Sequence, residues 1–233
     1  MSVLQLRSPD VREVEVCSVR LRDLEGLLPW RTFRARRGQR HYSGVYWSAT
    51  TAGHVIYESR LELARLLFAD MDPAIGWIVA QPFRLVAEVN GKERGHVPDF
   101  LLLLREGGVR VVDVKPLHRL GDPVVSSTFE WVQDVLAQCG WSFEVWSEPD
   151  PVQLANVRFL AGYRRGWLFA AELLDDAESA AQHGVSIGEA ERSLAPRWTA
   201  AVARGALMRL LWLGRIRTDL SVPLSSMHLL ERP

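Results

Sequence analysis

The sequence predicts an α/β fold: a layered domain of mostly antiparallel strands and helices over residues 1–148, then a mainly helical domain over residues 149–233. Three features carry this prediction. Residues 97–115 hold two apolar runs of strand length, Val97-Pro98-Asp99-Phe100-Leu101-Leu102-Leu103-Leu104 and Val109-Arg110-Val111-Val112-Asp113-Val114-Lys115, around a turn containing Gly107 and Gly108. That is the pattern of a β-hairpin buried on both faces. Ser127-Thr128-Phe129-Glu130 and Ser186-Ile187-Gly188-Glu189 are S-x-x-E helix-start signals. Glu148-Pro149-Asp150-Pro151 is a turn-rich boundary after which the composition changes.

Composition narrows the class. At 233 residues there is room for one large core or two smaller ones, and the boundary favours two. A hydrophobic content of 48% without a run of eighteen apolar residues argues against a membrane span, and the first residues lack a basic-then-apolar signal segment, so a soluble, cytoplasmic protein with no membrane partner is expected. Cys17 and Cys139 have no metal-type or redox spacing and are expected as free core thiols. The net charge is zero, with 28 basic and 28 acidic residues, so charge alone gives no argument for nucleic acid. Only Lys92 and Lys115 are lysines, the other 26 basic residues being arginine; a lysine inside an apolar strand therefore suggests chemistry that needs a compact ammonium.

In chain order, residues 11–22 alternate, with Val14 and Val16 against Glu13 and Glu15, and predict a strand. Arg31, Arg34, Arg36, Arg37 and Arg40 are interleaved with Trp30, Phe33, His41 and Tyr42, which fits either a phosphate-contacting arm or a solvated loop. Leu61, Ala64, Leu67 and Phe68 predict a helix over residues 59–71. Glu58 and Glu62 lie four apart on it; either Arg65 answers them or one glutamate points into a cleft. Residues 77–89 predict a strand, or a bent pair broken near Gln81-Pro82, and Asn90-Gly91 predicts a tight hairpin turn. Residues 116–125 read as a loop, residues 127–139 as a helix stopped by Gly140, and residues 141–146 as a strand.

Helices are predicted in the second domain over residues 154–165, 167–174, 187–195 and 197–213, the last stopped by Gly214. Residues 215–220 and 227–230 then alternate like two short strands around Pro223. Helix, helix, two-stranded ribbon is the order of a winged helix-turn-helix, with Arg197, Arg204, Arg209, Arg215 and Arg217 to contact phosphates; a docking module of the same architecture is the alternative.

Asp99, Asp113 and Lys115 interrupt the apolar hairpin. Burying them unpaired is unfavourable by several kcal/mol each, so they must be compensated by one another, by a metal ion or by a cleft edge. Asp113 and Lys115 are two apart and share a face. Asp99 joins them if the turn is the three residues Glu106, Gly107 and Gly108, so that Arg105 faces Val109 and Asp99 falls opposite Lys115. Carboxylates in such a group suit a hard divalent cation, and a neighbouring lysine stabilises charge building on a phosphate.

These residues resemble the PD-(D/E)xK nuclease superfamily, through Pro98-Asp99 and Asp113-Val114-Lys115. More narrowly they resemble the TnsA-like endonuclease subunit of heteromeric transposases, through Leu28-Pro29-Trp30 and the basic segment after it, Ser59-Arg60-Leu61-Glu62-Leu63-Ala64, Gln81-Pro82, Val97-Pro98-Asp99-Phe100-Leu101 and Val112-Asp113-Val114-Lys115-Pro116. The resemblance implies a restriction-endonuclease-like core, a mixed sheet flanked by helices, together with the winged-helix domain. It implies Glu62 rather than Glu58 as the helix carboxylate, Asp99 and Asp113 as metal ligands joined by Glu62 and the Val114 carbonyl, and Lys115 as the catalytic lysine. Mg²⁺ or Mn²⁺ is the implied cofactor and double-stranded DNA the substrate, cut at the 5′ ends of a transposon. A DDE-type transposase subunit and an AAA+ regulator are the implied partners. An autonomous defence or repair nuclease, and a non-catalytic DNA-binding scaffold with a degenerate core, are the alternatives. The six histidines include no zinc-type pair, and no P-loop, G-x-S-x-G or dinucleotide fingerprint occurs.

Overall fold

The chain mixes strands and helices, consistent with an α/β class, and the computed structural model describes residues 2–8, 10–31 and 42–233. Arg34, Arg36, Arg37 and Arg40 of the predicted arm lie outside the described residues. Two compact units form, one from Met1–Asp70 with Ala74–Glu148, the other from Met71–Pro73 with Pro149–Pro233.

The first part of the chain runs β1 (Ser2–Ser8), β2 (Asp10–Glu15), α1 (Arg22–Glu25), β3 (Gly44–Ser48), β4 (Gly53–Tyr57), α2 (Arg60–Met71), β5 (Ile75–Ala80), β6 (Phe83–Val89), β7 (Lys92–His96), β8 (Phe100–Leu104), β9 (Val109–Val114), α3 (Pro123–Ala137) and β10 (Ser142–Trp146). One sheet has the order β2-β1-β6-β7 and is antiparallel throughout; a second has the order β10-β9-β8-β5, mixed because β10 runs parallel to β9. The crossover needed for that parallel pair is α3. Leu4, Leu6, Phe83 and Leu85 of the first sheet, Leu101, Leu103, Val109 and Val111 of the second, and Trp131, Val132 and Leu136 of α3 form one buried cluster. Phe100, Leu102 and Val112, on the opposite face of the hairpin, are buried as well, as two uninterrupted apolar runs require.

Several expectations are corrected. The strand predicted over residues 11–22 ends at Glu15, because its partner β1, which the sequence reading missed, runs out where Val3 faces Glu15. With no ladder partner beyond that point, Val16–Ser18 coils into a 3₁₀ turn. The α3 helix begins at Pro123, inside the predicted loop, because Asp122 accepts the Val124 N–H at 2.9 Å and Pro123 supplies a preset φ at the first position. Cys17 and Cys139 are bridged in a disulfide, not free. Val16 and Leu136 belong to the same buried cluster, and that packing brings the adjacent Cys17 and the end of α3 together.

The second unit holds α4 (Pro151–Leu160), α5 (Ala171–Ala180), α6 (Ile187–Leu194) and α7 (Ala200–Trp212). The predicted S-x-x-E start is present: Ser186 Oγ accepts the Glu189 N–H while Glu189 Oε2 accepts the Ser186 N–H. The helix predicted over residues 167–174 is instead a 3₁₀ turn, Gly166–Leu168, followed by α5. The predicted ribbon is reduced to one isolated antiparallel bridge, Arg217 with Glu231, while Leu229 bridges to Ser186 instead. The reason is competition for backbone groups: His228 and Leu230 bond to Gly184, Val185 and Ile187, and the buried Asn156 amide takes the Leu220 carbonyl at 2.9 Å and holds the loop through Val222 and Leu224. Among the described residues no helix is long and apolar enough to cross a membrane.

Candidate active site

The hairpin β8–β9 delivers its charges to one place. Phe100 faces Val112 and Leu103 faces Val109, and the Leu104 N–H bonds to the Gly108 carbonyl at 3.2 Å. The register is therefore shifted by two from the expected one, with Arg105 in the turn rather than opposite Val109. Gly107 and Gly108 both have positive φ, 92° and 102°, which lets the chain reverse earlier, and the Arg105 N–H is taken by the Ala74 carbonyl. A shift of two keeps the face. Asp99 consequently still meets Asp113, and its Oδ2 accepts the Val114 N–H at 2.7 Å.

Glu62 reaches the same place from the start of α2. Ser59 Oγ accepts the Glu62 N–H at 3.1 Å and so caps the start of α2, and Glu62 Oε2 accepts the Glu58 N–H at 2.7 Å, which ties its side chain back to the residue before Ser59. The Glu58 side chain points elsewhere: its Oε1 accepts the Gln81 amide at 2.7 Å. Arg65 answers neither glutamate but is buried against Glu144 at 3.1 Å.

Glu58, Glu62, Asp99, Asp113, Val114 and Lys115 all line one cleft of about 450 Å³, with Trp30, Arg31, Arg84 and His96 on its walls. Burial raises the Glu62 carboxyl, against the Glu58 N–H, the Ser59 hydroxyl and the Lys115 charge. Asp99 is held well above the usual carboxylate range, first by burial and then by the charges of Asp113 and Glu62; the Val114 N–H and Lys115 pull it only part of the way back. Lys115 makes no salt bridge with any of them, so the alternative of a closed buried ion pair does not hold among the described residues. No protein-family model matches the chain, and no curated protein matches it. The functional reading therefore rests on the cleft.

Two residues that sequence reasoning missed complete it. His96, at the end of β7, places Nε2 2.7 Å from Asp113 Oδ2 and stands edge-on to Trp131. Gln81 is buried with φ +46°; its carbonyl accepts the Trp30 N–H, its Oε1 accepts the Arg31 N–H at 3.0 Å, and its own N–H bonds to the Asp99 carbonyl at 2.8 Å. The signal for Gln81 was its place before Pro82; a lone histidine before Pro98-Asp99 gave none.

The donor set suits a hard divalent cation by chemistry: carboxylate oxygens carrying mutual repulsion that one lysine leaves uncompensated. Among the described residues, no three His, Cys, Asp or Glu side chains are already gathered as a ligand shell. Each of Glu62, Asp99 and Asp113 has one oxygen engaged by a protein donor or ring nitrogen, leaving its second oxygen to bind.

The expected phosphate-contacting arginines divide. Arg31 is exposed at the cleft. Arg197 pairs with Glu172 and Asp176, Arg204 with Glu191, and Arg215 with Glu178 and Asp175. Arg209 is 9% exposed and donates to the Tyr163 and Arg164 carbonyls, so it is part of the interior of the second unit. Arg217 is exposed.

Proposed function

We propose that the chain is a metal-dependent DNA endonuclease, the TnsA-like subunit of a heteromeric transposase that cuts transposon 5′ ends. The observation that carries the reading is the convergence of Glu62, Asp99, Asp113 and Lys115 from α2, β9 and the ends of the hairpin strands on one cleft. Asp99 and Asp113, with Glu62 and the Val114 carbonyl, would hold Mg²⁺ or Mn²⁺. The bound ion supplies Lewis acidity toward the phosphate and acidifies water. Lys115, with no carboxylate in salt-bridge range, is free to stabilise charge building on the phosphate. Water adds to phosphorus in line with the departing 3′-oxygen, which takes a proton, leaving 5′-phosphate and 3′-hydroxyl ends. Gln81 positions the cleft walls through Arg31 and Glu58.

Support for the second unit is its order: α5, the bridge residue Ser186, α6, α7, then Arg217 and Leu229 to Glu231 joined by bridges. That is the order of a winged helix-turn-helix. With Arg197, Arg204 and Arg215 in ion pairs, this unit is read as a docking module for the DDE-type transposase or the AAA+ regulator more than as a DNA reader. The restriction-endonuclease-like identity of the first unit is supported by its mixed sheet flanked by α2 and α3.

The test is Mg²⁺-dependent cleavage of duplex DNA in the presence of a DDE-type transposase subunit, abolished by Asp113→Ala and Lys115→Ala with melting temperature retained. Cleavage in chelator, or full activity in either variant, rejects the reading. Two observations favour a second reading, the non-catalytic scaffold: no ligand shell is preformed among the described residues, and one Glu62 oxygen is held by the Glu58 N–H. Calorimetric titration with Mn²⁺ decides between the two; absence of binding selects the scaffold.

A further inference from the structure

Two arginines line the cleft, Arg31 and Arg84, and of these Arg84 on β6 is the half-buried one. Arg12 pairs with Asp23, and Arg65 and Arg110 with Glu144. Arg84 lines the cleft that holds three candidate carboxylates; among the described residues it makes no salt bridge and one hydrogen bond, from Nη1 to Gln5 Oε1 at 3.2 Å. Residues 32–41, outside the described chain, contain no aspartate or glutamate.

The guanidinium is seated, not loose. A methyl group at Gly95 would lie 2.6, 2.8 and 2.9 Å from its Nη2, Nε and Cζ, so the absence of a side chain there is what lets the fork lie across β7. Gln5 is itself oriented, because its amide nitrogen donates to Glu13 Oε1 at 2.7 Å and thereby turns its oxygen toward Arg84. The cation that bears on Glu62 and Asp99 is Lys115. A planar fork with five N–H donors, one of them bonded to the protein, and with no carboxylate partner suits a phosphate.

We infer that Arg84, seated over Gly95 and oriented by Gln5, is a phosphate-binding subsite on the cleft wall, holding a phosphodiester of the strand whose neighbouring phosphate is hydrolysed. The inference rests on the nuclease reading in naming the phosphate as part of DNA. It assigns Arg84 to positioning the strand and leaves the bond-breaking chemistry to the carboxylates and Lys115.

The experiment measures binding of a fluorescent duplex to the full chain in Ca²⁺ over a range of salt, for wild type, Arg84→Gln, Arg84→Lys and Gly95→Ala, with folding followed by circular dichroism. Losing one phosphate contact lowers the salt-dependence slope by about 0.9. Arg84→Gln is expected to weaken binding about tenfold and lower the slope by that amount; Arg84→Lys restores the slope, and Gly95→Ala weakens binding at unchanged slope. Wild-type affinity and slope in Arg84→Gln overturn the subsite and leave the nuclease reading standing. If wild type binds no duplex even with a DDE-type transposase subunit present, the nuclease reading fails, and the subsite is then decided by phenylglyoxal modification of Arg84: protection by inorganic phosphate supports it, and no protection overturns it.

Discussion

The carboxylate of Asp99 accepts the backbone N–H of Val114 at 2.7 Å across the hairpin, while Asp113, one residue before that N–H, repels it. The hydrogen bond favours the ionised form and the neighbour opposes it, and burial with repulsion wins: the Asp99 carboxyl sits well above its usual range. A raised carboxyl binds its proton more tightly in the folded chain than in the unfolded one. Its contribution to stability is thus full below the ordinary carboxylate range and is lost as pH rises through the raised value. In chelator, the wild-type melting temperature should fall as pH rises from acid to neutral. Asp99→Asn keeps an acceptor for the Val114 N–H and removes the repulsion, so it should melt above wild type at neutral pH, by about 2–4 °C per kcal/mol gained, and converge with it in acid. A less stable Asp99→Asn protein at neutral pH would refute this.

Divalent ions should substitute for the missing proton. With Mn²⁺ at about 100 times its dissociation constant, binding stabilises the fold by about 2.7 kcal/mol. The expected result is a rise in wild-type melting temperature on adding Mn²⁺ at neutral pH and a smaller rise in Asp99→Asn, read by differential scanning calorimetry. Equal rises in both proteins would place the ion elsewhere.

His96 holds Asp113 from the far side of the site, with 18% of its side chain exposed against 4% for Asp113. Removing it leaves a nearly buried carboxylate short of a partner, which is destabilising by about 1–3 kcal/mol. Urea denaturation of His96→Ala should show that loss, and His96→Gln, which offers an amide donor, should recover part of it. A His96→Ala midpoint equal to wild type would show that the contact carries no weight.

How much of this was legible in the sequence depended on which physical signal each residue left. Strand faces follow a period of two, so the shared face of Asp99, Asp113 and Lys115 was readable even though the register was off by two. The register itself depended on the φ values of Gly107 and Gly108, which spacing does not reveal. Glu62 and Glu58 were visible as a pair, but which of them turns into the cleft depends on Ser59, whose side chain caps α2 at the Glu62 N–H. Gln81 and His96 act through contacts distant in sequence, with Arg31, Glu58 and Asp113; the Gln81-Pro82 pair marked a bend but not those partners, and His96 left no local pattern. The C-terminal ribbon failed for a related reason: Asn156, 64 residues before Leu220, holds the loop backbone.

Gln81 offers an inverted mutational signature. Its φ of +46° disfavours any residue with a Cβ, while its amide binds Glu58 and the Arg31 N–H. Gln81→Ala keeps the strain and loses both bonds, a destabilisation of about 1–3 kcal/mol. Gln81→Gly loses the same bonds but relieves the backbone, recovering up to about 1 kcal/mol. Glycine should therefore be the milder substitution in chemical denaturation, the reverse of the order at an ordinary strand or helix position. Alanine proving milder would mean that the positive φ is not sustained.

The Cys17–Cys139 bridge closes a loop of 122 residues that contains α2, the cleft strands and α3. A cross-link of that span acts mainly on the unfolded chain, whose freedom it restricts, and for a loop of about 100 residues the effect is about 4.7 kcal/mol in the chain-entropy account. Cys17→Ser and Cys139→Ser should each lower stability substantially, toward that limit, and the double variant should lose no more than either alone, because one bond is removed in all three. Wild type treated with reductant should match them. Thiol titration in denaturant should find no free thiol before reduction and two after it. Two reactive thiols in the unreduced protein would restore the reading of two free core cysteines, and additive losses in the double variant would mean that the side chains stabilise the fold by packing and not through the bond between them.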